Sequence, residues 1–247
     1  MRIMKIVAII QARMGSTRLP GKVMKSILDK PVILWDIDRV SLSKLIDEVV
    51  IALPDGGEND IIVTTVKNYN DEIIITRGSE DDVLERYYHA AVQTNADVVV
   101  RITSDCPLID PVVVDNVIEQ FLNNDCDYCS NALVQTYPRG LDTEVFSFSA
   151  LEKSWNEAKK EYEREHVTPY IWENPYKFRL LNVPNNTDLS HFRWTLDTQE
   201  DFDFLEAVYK KIYPGKQHFL MNDVLDLLNK EPELIEINKN VEQKKIH

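Results

Sequence analysis

Between Ile9 and Val23 the chain reads IIQARMGSTRLPGKV, and the residue types in this stretch suit the holding of an anion. Gly15, Ser16 and Thr17 allow tight turns with exposed backbone N–H donors, while Arg13, Arg18 and Lys22 add charge-assisted bonds to anionic oxygens. The pattern imitates the Walker phosphate loop, G-x-x-x-x-G-K-[ST], and fails it. Five residues separate Gly15 from Gly21, Val23 stands where a magnesium-binding hydroxyl belongs, and Pro20 lacks the inward N–H. What remains is a phosphate cradle of another design or a solvated basic loop. Residues 1–40 hold eight Lys and Arg against three Asp in a chain whose formal net charge is −13, a local cationic island suited to a small anionic ligand.

Phosphate chemistry asks for a divalent cation on oxygen ligands. Two acids suit that need by position: Asp105 in TSDCP, just past the apolar run DVVVRIT, and Asp197, just past HFRWTL. Each has a second reading, Asp105 as a turn residue before Pro107 and Asp197 as a helix cap beside Thr198 and Asp201. The loop TRGSEDD offers Arg77 and Ser79 to a base, or Ser79 as the N-cap of a helix. Arg139 in YPRG presents a cation on a rigid turn, suited to clamping a carboxylate, with Asp142 and Glu144 close by for hydroxyl groups. His89 reads as packing on a helical face. Tyr162, Tyr170, Trp172 and Tyr176 suit a dimer surface or an aromatic local core.

These residues need a scaffold that brings distant loops to one edge. Lys5–Ile10, Glu48–Leu53, Glu72–Thr76 and Asp97–Thr103 are short runs rich in Val and Ile, as strands covered on both faces should be. Helical patterns alternate with them: PVILWDIDRVSLSKLI from Pro31 through Leu45, DDVLERYYHAAVQTN, and DPVVVDNVIEQFLNN with Asp110 as N-cap and Pro111 at the first helical position. The alternation predicts an α/β fold with a mostly parallel sheet and helices on both faces. Beyond Asn131 the rhythm changes to turn and strand (TYPRGLDTEVFSF), two helical pieces, and strands at FRLLNV and HFRWTL. This reads as a single domain over 1–247 with an insertion at about 131–190, followed by a return to the main sheet. Helices near Gln199–Ile212 and Asn222–Lys230 close the chain before a polar tail from about Asn238.

Composition bounds the function. The negative net charge opposes nucleic-acid and anionic-membrane binding. Three cysteines, Cys106, Cys126 and Cys129, make no disulfide framework, and the lone C-x-x-C at Cys126 reads as two small side chains on one strand. No apolar run reaches the length of a signal-peptide core or a membrane span, so a cytoplasmic location is expected.

The opening loop resembles the A-R-x-x-S-T/K-R-x-P-G-K signature of the cytidylyltransferases that make CMP-activated sugar acids, the Kdo and acylneuraminate enzymes. RGSEDDVLERYY, VRITSDCPLIDP, YPRGLDTEVFS, REHVTPYI and RWTLDTQEDF resemble the branch of that family named for the spore coat polysaccharide biosynthesis protein SpsF. The likeness spans about residues 6–203. It implies a Rossmann-like nucleotidyltransferase fold, a magnesium-dependent reaction of CTP with a 2-keto sugar acid, and a homodimer. It extends the nucleotide-binding set to Gln11 and Ala12, makes Arg13, Lys22, Asp105 and Asp197 catalytic, and gives the metal to Asp105 and Asp197. In the Kdo enzymes the corresponding motifs are G-D-E-P and D-T-P-E-D; here Ser104 and Cys106 replace the Gly and Glu of the first. Glu165 and His166 match an E-H dipeptide on the sugar side. Two rival readings are a glycosyltransferase, for which the D-x-D motif is missing because Thr103 precedes Asp105 by two, and a nucleotide-binding partner protein without turnover.

Overall fold

Alternating apolar side chains on short runs decide the architecture. In β1 (Ile6–Gln11), Val7 and Ile9 face one side and Ala8 and Ile10 the other, and all four are fully buried, so the strand must lie inside a sheet covered on both faces. The computed structural model describes residues 4–243; Arg2 of the cationic segment lies outside them. β1 pairs in parallel with β4 (Glu48–Pro54) on one side and β6 (Val98–Thr103) on the other, and β4 pairs in parallel with β5 (Ile74–Gly78). β8 (Glu144–Ser147) runs antiparallel to β6 and to β7 (Tyr128–Ser130), and β7 runs parallel to β9 (Leu180–Asn182). The order β5-β4-β1-β6-β8-β7-β9 makes a seven-stranded mixed sheet, and β2 (Ser26–Ile27) with β3 (Lys30–Pro31) forms a separate hairpin.

Helices cover both faces as the alternation predicts. α1 (Val32–Ser41), α2 (Asp60–Tyr69) and α4 (Pro111–Asn123) pack on the Ala8/Ile10 face. α3 (Val83–Thr94), α5 (Phe148–Glu157) and α7 (Pro169–Trp172) pack on the Val7/Ile9 face, with α6 (Glu161–His166) against α3. α8 (Gln199–Ile212) and α9 (Met221–Lys230) bury a third cluster around Trp35, Trp194 and Tyr209. Asp110 caps α4 by accepting from Val112 N at 2.8 Å, with Pro111 in the first turn. Among the described residues no helix is long and apolar enough to cross a membrane. Because β1 is flanked by β4 and β6, the chain reverses its order at β1, and the crevice beyond the carboxyl ends there is where ligands of open α/β sheets bind.

Several local expectations change. α1 stops at Ser41, short of Leu45, because the Ser43 hydroxyl accepts from Leu45 N and Ile46 N at 3.3 Å, and Asp115 takes Lys44 N at 3.1 Å. Side-chain oxygens thus capture the amides that another helical turn would need. The N-cap of α3 is Asp82, which accepts from Glu85 N at 2.9 Å; Ser79 acts one turn earlier, accepting from Asp82 N at 3.1 Å. HFRWTL is not a strand. It runs extended with one parallel bridge, Arg139 to Arg193, because its neighbours are the 138–142 turn and the loop after β6 rather than another strand. Cys129 lies on β7 and Cys126 precedes it, both free thiols. His89 is exposed at the rim of an aromatic cluster, edge-on to Tyr88 and Trp155, and not buried in it.

Candidate active site

Three segments far apart in sequence meet at one ammonium group. The loop after β1 is pinned at both ends: Met14 N donates to Asn59 Oδ1 at 3.0 Å, and Gly21 N to Met14 O at 3.1 Å. Gly21 holds φ +66°, a conformation that a glycine takes without strain, and Val23 plugs into the core just beyond. Lys22 is thereby aimed across the carboxyl edge of the sheet. Its Nζ donates to Asp105 Oδ2, to Leu196 O and to Asp197 Oδ1, each at 2.8 Å. The two carboxylate oxygens therefore lie no more than twice that distance apart.

Each acid is placed by backbone bonds. Ser104 N donates to Gln11 O at 3.2 Å, extending the β1–β6 ladder to the residue before Asp105. Leu196 N donates to Asp105 O at 2.8 Å, which docks the 193–197 segment on that loop. Gly140 makes this docking sterically open: at φ +104° it passes so close that an added Cβ would lie 2.6 Å from the Trp194 carbonyl carbon. The box expected at Thr198 and Asp201 is present, and Asp201 Oδ2 also accepts from Asp197 N at 3.0 Å. Capping and cation binding thus coexist here, since the caps use Thr198 and Asp201 and leave the Asp197 carboxylate to Lys22 and Arg18.

Burial alone would raise Asp105, but Lys22, the Thr103 hydroxyl at 2.7 Å and the Cys106 thiol hold its carboxyl below the ordinary range. Burial likewise opposes the Lys22 charge, and the two aspartates overcome it, keeping the ammonium above the usual lysine value. Burial pushes the Cys106 thiol far up, reinforced by Asp105, so it is a neutral packing group and not a nucleophile.

A cleft of about 300 Å³ opens over this centre. Of the residues expected at the nucleotide, Gln11, Ala12, Arg13, Gly15, Ser16, Thr17, Arg18 and Lys22 line it, with Asp105, Asp197, Glu165 and His166. Arg77 and Ser79 do not. Arg77 donates to Gly56 O at 3.0 Å and pairs with Asp60, while the Ser79 carbonyl accepts from Arg86 at 2.7 Å. It is Arg86, one turn into α3, that reaches the cleft.

A second cavity of about 660 Å³ shares His166 with the first. Arg139, Asp142 and Glu144 all line it, beside Arg101, Gln135, Thr168 and the apolar wall of Leu133, Pro169 and Trp172. Arg139 has its side chain about one-third exposed and lies 4.0 Å from Asp142. Burial pushes the Asp142 carboxyl up, opposed by Arg139 and by Gln135, whose amide donates at 2.9 Å. Glu144 is spent inside the wall: it pairs with Arg101 and accepts from Tyr128 and from Thr168 Oγ1 at 2.6 Å. It shapes the cavity without offering a free oxygen to it. α6 is held over the junction by Arg164, which donates to Asp82 at 2.8 Å and Trp155 O at 2.7 Å. The turn after His166 is a tight one, Thr168 N to His166 O at 2.9 Å, with Val167 at φ +73°, an uncommon conformation for a β-branched residue. Of the four aromatics in this region, Tyr170 is buried and Tyr176 is 80% exposed.

Sequence reasoning did not single out Arg86, Arg101, Gln135 or Arg193. Arg193 was detectable: residues 193, 195 and 197 share one side of an extended segment, and Arg193 lies 3.5 Å from Asp197 while gripping buried Asp201 at 2.8 Å. Arg86 carried no comparable signal, because a helical arginine near an acidic first turn looks like a surface residue. Among the described residues no three His, Cys, Asp or Glu side chains gather as a metal cage. The Asp105–Asp197 pair, two hard oxygen donors already sharing one cation, fits Mg2+, which takes one or two carboxylates and completes its shell with water and phosphate oxygens.

The family model described as cytidylyltransferase matches residues 7–246. The chain is 40% identical to protein MJ1063 of Methanocaldococcus jannaschii, over 98% of this chain and 97% of that one. It is 32% identical to the spore coat polysaccharide biosynthesis protein SpsF of Bacillus subtilis, over 92% of this chain and 95% of the other. The solved structure of a cytidylyltransferase from Leptospira borgpetersenii superposes with a TM-score of 0.89 at 35% identity, covering 98% of this chain and all of that one. With the reversal of strand order at β1 and a cation-binding acid pair at its carboxyl edge, these likenesses settle the kinship: the chain belongs to the cytidylyltransferase family of nucleotidyltransferases.

Proposed function

We propose that the chain transfers CMP from CTP to a 2-keto sugar acid in a magnesium-dependent reaction that releases pyrophosphate, for the synthesis of a surface polysaccharide or glycan. The observation that carries this reading is the meeting of Asp105 and Asp197 on Lys22, with Arg18 on the same acid. An acceptor hydroxyl oxygen bonds to the α-phosphorus while the bond from that phosphorus to the α–β bridging oxygen breaks. The bridging oxygen leaves with the electron pair on pyrophosphate, and the hydroxyl proton passes to water. Arg13, Arg18 and Lys22 neutralise the triphosphate, and the turn at Gly15, Ser16 and Thr17 supplies backbone donors. Asp105 and Asp197 would hold the Mg2+, which when bound withdraws charge from phosphate oxygens. No nucleophilic side chain is needed, since positioning and charge neutralisation suffice.

The larger cavity takes the acceptor. Arg139 meets its carboxylate, Asp142 and Gln135 its hydroxyls, and Glu165 and His166 stand where nucleotide and acceptor come together. The sugar-acid assignment rests on Arg139 and on the motif likeness to the Kdo enzymes, and the polysaccharide context on the name of the SpsF relative. Ser79 and Arg77 support the base site from behind through the loop that Arg86 grips. The working unit is a single nucleotidyltransferase domain in the cytoplasm, paired as a homodimer through the region around Tyr176.

The test offers each nucleoside triphosphate with Mg2+ and a panel of 2-keto sugar acids and detects pyrophosphate. Release from CTP alone, with a CMP-sugar formed, is the expected result. Preference for another nucleoside triphosphate overturns the reading, as does consumption of a preformed nucleotide sugar without pyrophosphate.

A further inference from the structure

Buried polar groups without partners are rare in folded proteins, and where they face a cleft they mark what the cleft is built to bind. Among the described residues lining the nucleotide cleft, two side chains carry such an atom: Gln11, through Oε1, and Arg86, through Nε. Neither atom is left over from a loose surface group. Gln11 ends β1 inside the sheet, paired with Ala52 on one side and Thr103 on the other. Arg86 is 3% exposed, and its Nη1 is tied to Ser79 O at 2.7 Å and Glu80 O at 3.2 Å, so the guanidinium is fixed with Nε still unused. Val83, one turn before Arg86 on α3, adds an apolar surface to the same end of the cleft.

One buried acceptor and one buried donor form the complement of a particular base edge. Cytosine presents the N4 amino donor beside the N3 acceptor. Uracil presents the reverse, an O4 acceptor beside an N3–H donor. We propose that Gln11 and Arg86 read the pyrimidine edge, the Gln11 carbonyl accepting from N4–H and the Arg86 guanidinium donating to N3, and so set the preference for cytosine. This rests on the reading of CTP as the nucleotide donor. Arginine has donors and no acceptor, so a base that brings N3–H to it leaves two donors opposed. The Gln11 amide can turn over and the Arg86 charge cannot, so Arg86 carries the discrimination against uracil and Gln11 the recognition of the amino group.

The experiment measures equilibrium binding to the full-length protein with Mg2+ and no acceptor. The ligands are CTP, UTP and the triphosphate of 2-pyrimidinone riboside, which keeps N3 and O2 and lacks the amino group. Wild type should prefer CTP to UTP by at least about 100-fold, as sites built around fixed hydrogen-bond partners do. Arg86→Gln should cut the CTP-to-UTP ratio at least tenfold. Gln11→Ala should bring CTP and the 2-pyrimidinone nucleotide to within about threefold of each other, by removing the partner of the amino group. Because Arg86 also ties down two loop carbonyls, its variant is paired with a melting curve, and Gln11→Ala carries the test alone if Arg86→Gln does not fold. Ratios in the variants equal to those of wild type overturn the assignment, as does a wild type that binds CTP and UTP alike. A wild type that selects CTP in this way yet releases no pyrophosphate with any sugar acid leaves the base reading standing and overturns the proposed reaction.

Discussion

Lys22→Met removes the ammonium and keeps much of the stem, so it isolates the charge. Wild-type Lys22 makes three bonds of 2.8 Å, with its side chain 14% exposed and those of Asp105 and Asp197 21% and 19% exposed. Removing one partner of a fully buried ion pair costs about 3–5 kcal/mol. Here some water reaches both acids, and Arg18 and Arg193 remain beside Asp197 but not beside Asp105. A loss of about 2–3 kcal/mol is therefore expected in metal-free buffer, or about 5–10 °C in melting temperature for a chain of this size. The same change frees two carboxylates that lie within reach of one cation. Mn2+ at a hundred times its Kd should return about 2.7 kcal/mol to the variant, and should do less for wild type, where Lys22 competes for the acids. Thermal melts of both proteins in EDTA and across a Mn2+ titration provide the assay. A variant that melts with wild type in EDTA, or that gains no more from Mn2+ than wild type does, refutes the argument that Lys22 occupies a cation site.

Gly140→Ala should destabilise the fold by about 2 kcal/mol or more, because its Cβ meets the Trp194–Thr195 peptide at 2.6–2.8 Å; it should also slow pyrophosphate release by displacing Asp197, and a melt with a rate measurement checks both. Asp36 is fully buried with neither carboxylate oxygen partnered, and burial, reinforced by Asp105, pushes it well above the usual range. Its folded state thus holds a proton that the unfolded state releases near pH 4, so stability falls as pH rises from there through the folded value; Asp36→Asn should flatten that fall in urea melts run from pH 5 to 9. Asp105, depressed, contributes fully above the unfolded value near pH 4 and loses its contribution as pH falls through its lower folded value, whereas Lys22, raised, contributes fully below about pH 10 and loses it at higher pH. The stability gap between wild type and Asp105→Asn should therefore be level from about pH 5 to 9 and close below pH 4.

The parallel half of the sheet was legible because each of its strands is apolar on both faces, a pattern that length and flanking turns separate from helix. The cation centre was legible for a related reason: Lys22, Asp105 and Asp197 each follow a run of strand-like residues, and in a parallel sheet such ends share an edge. HFRWTL misled, because Trp194 and Leu196 alternate with Arg193 and Thr195 as in a strand, yet that alternation only separates the third core from the cleft and no ladder forms. Glu144 was read as a free acid because sequence gives no sign of Arg101, Tyr128 and Thr168 closing around it from three elements. Arg86 stayed hidden since its role depends on which side of α3 faces the cleft, and that is decided by Tyr87 inserting its ring beneath β1 to donate to Ile9 O.

The central claim is that two distant acids and the cationic loop hold one metal–nucleotide complex. Its most direct measurement is the affinity for Mn2+ together with a non-hydrolysable CTP analogue, in wild type, Asp105→Asn and Asp197→Asn. The account predicts one tight Mn2+ in wild type only when the nucleotide is present, weakened at least about tenfold by either substitution. Equal affinity in all three proteins would contradict it.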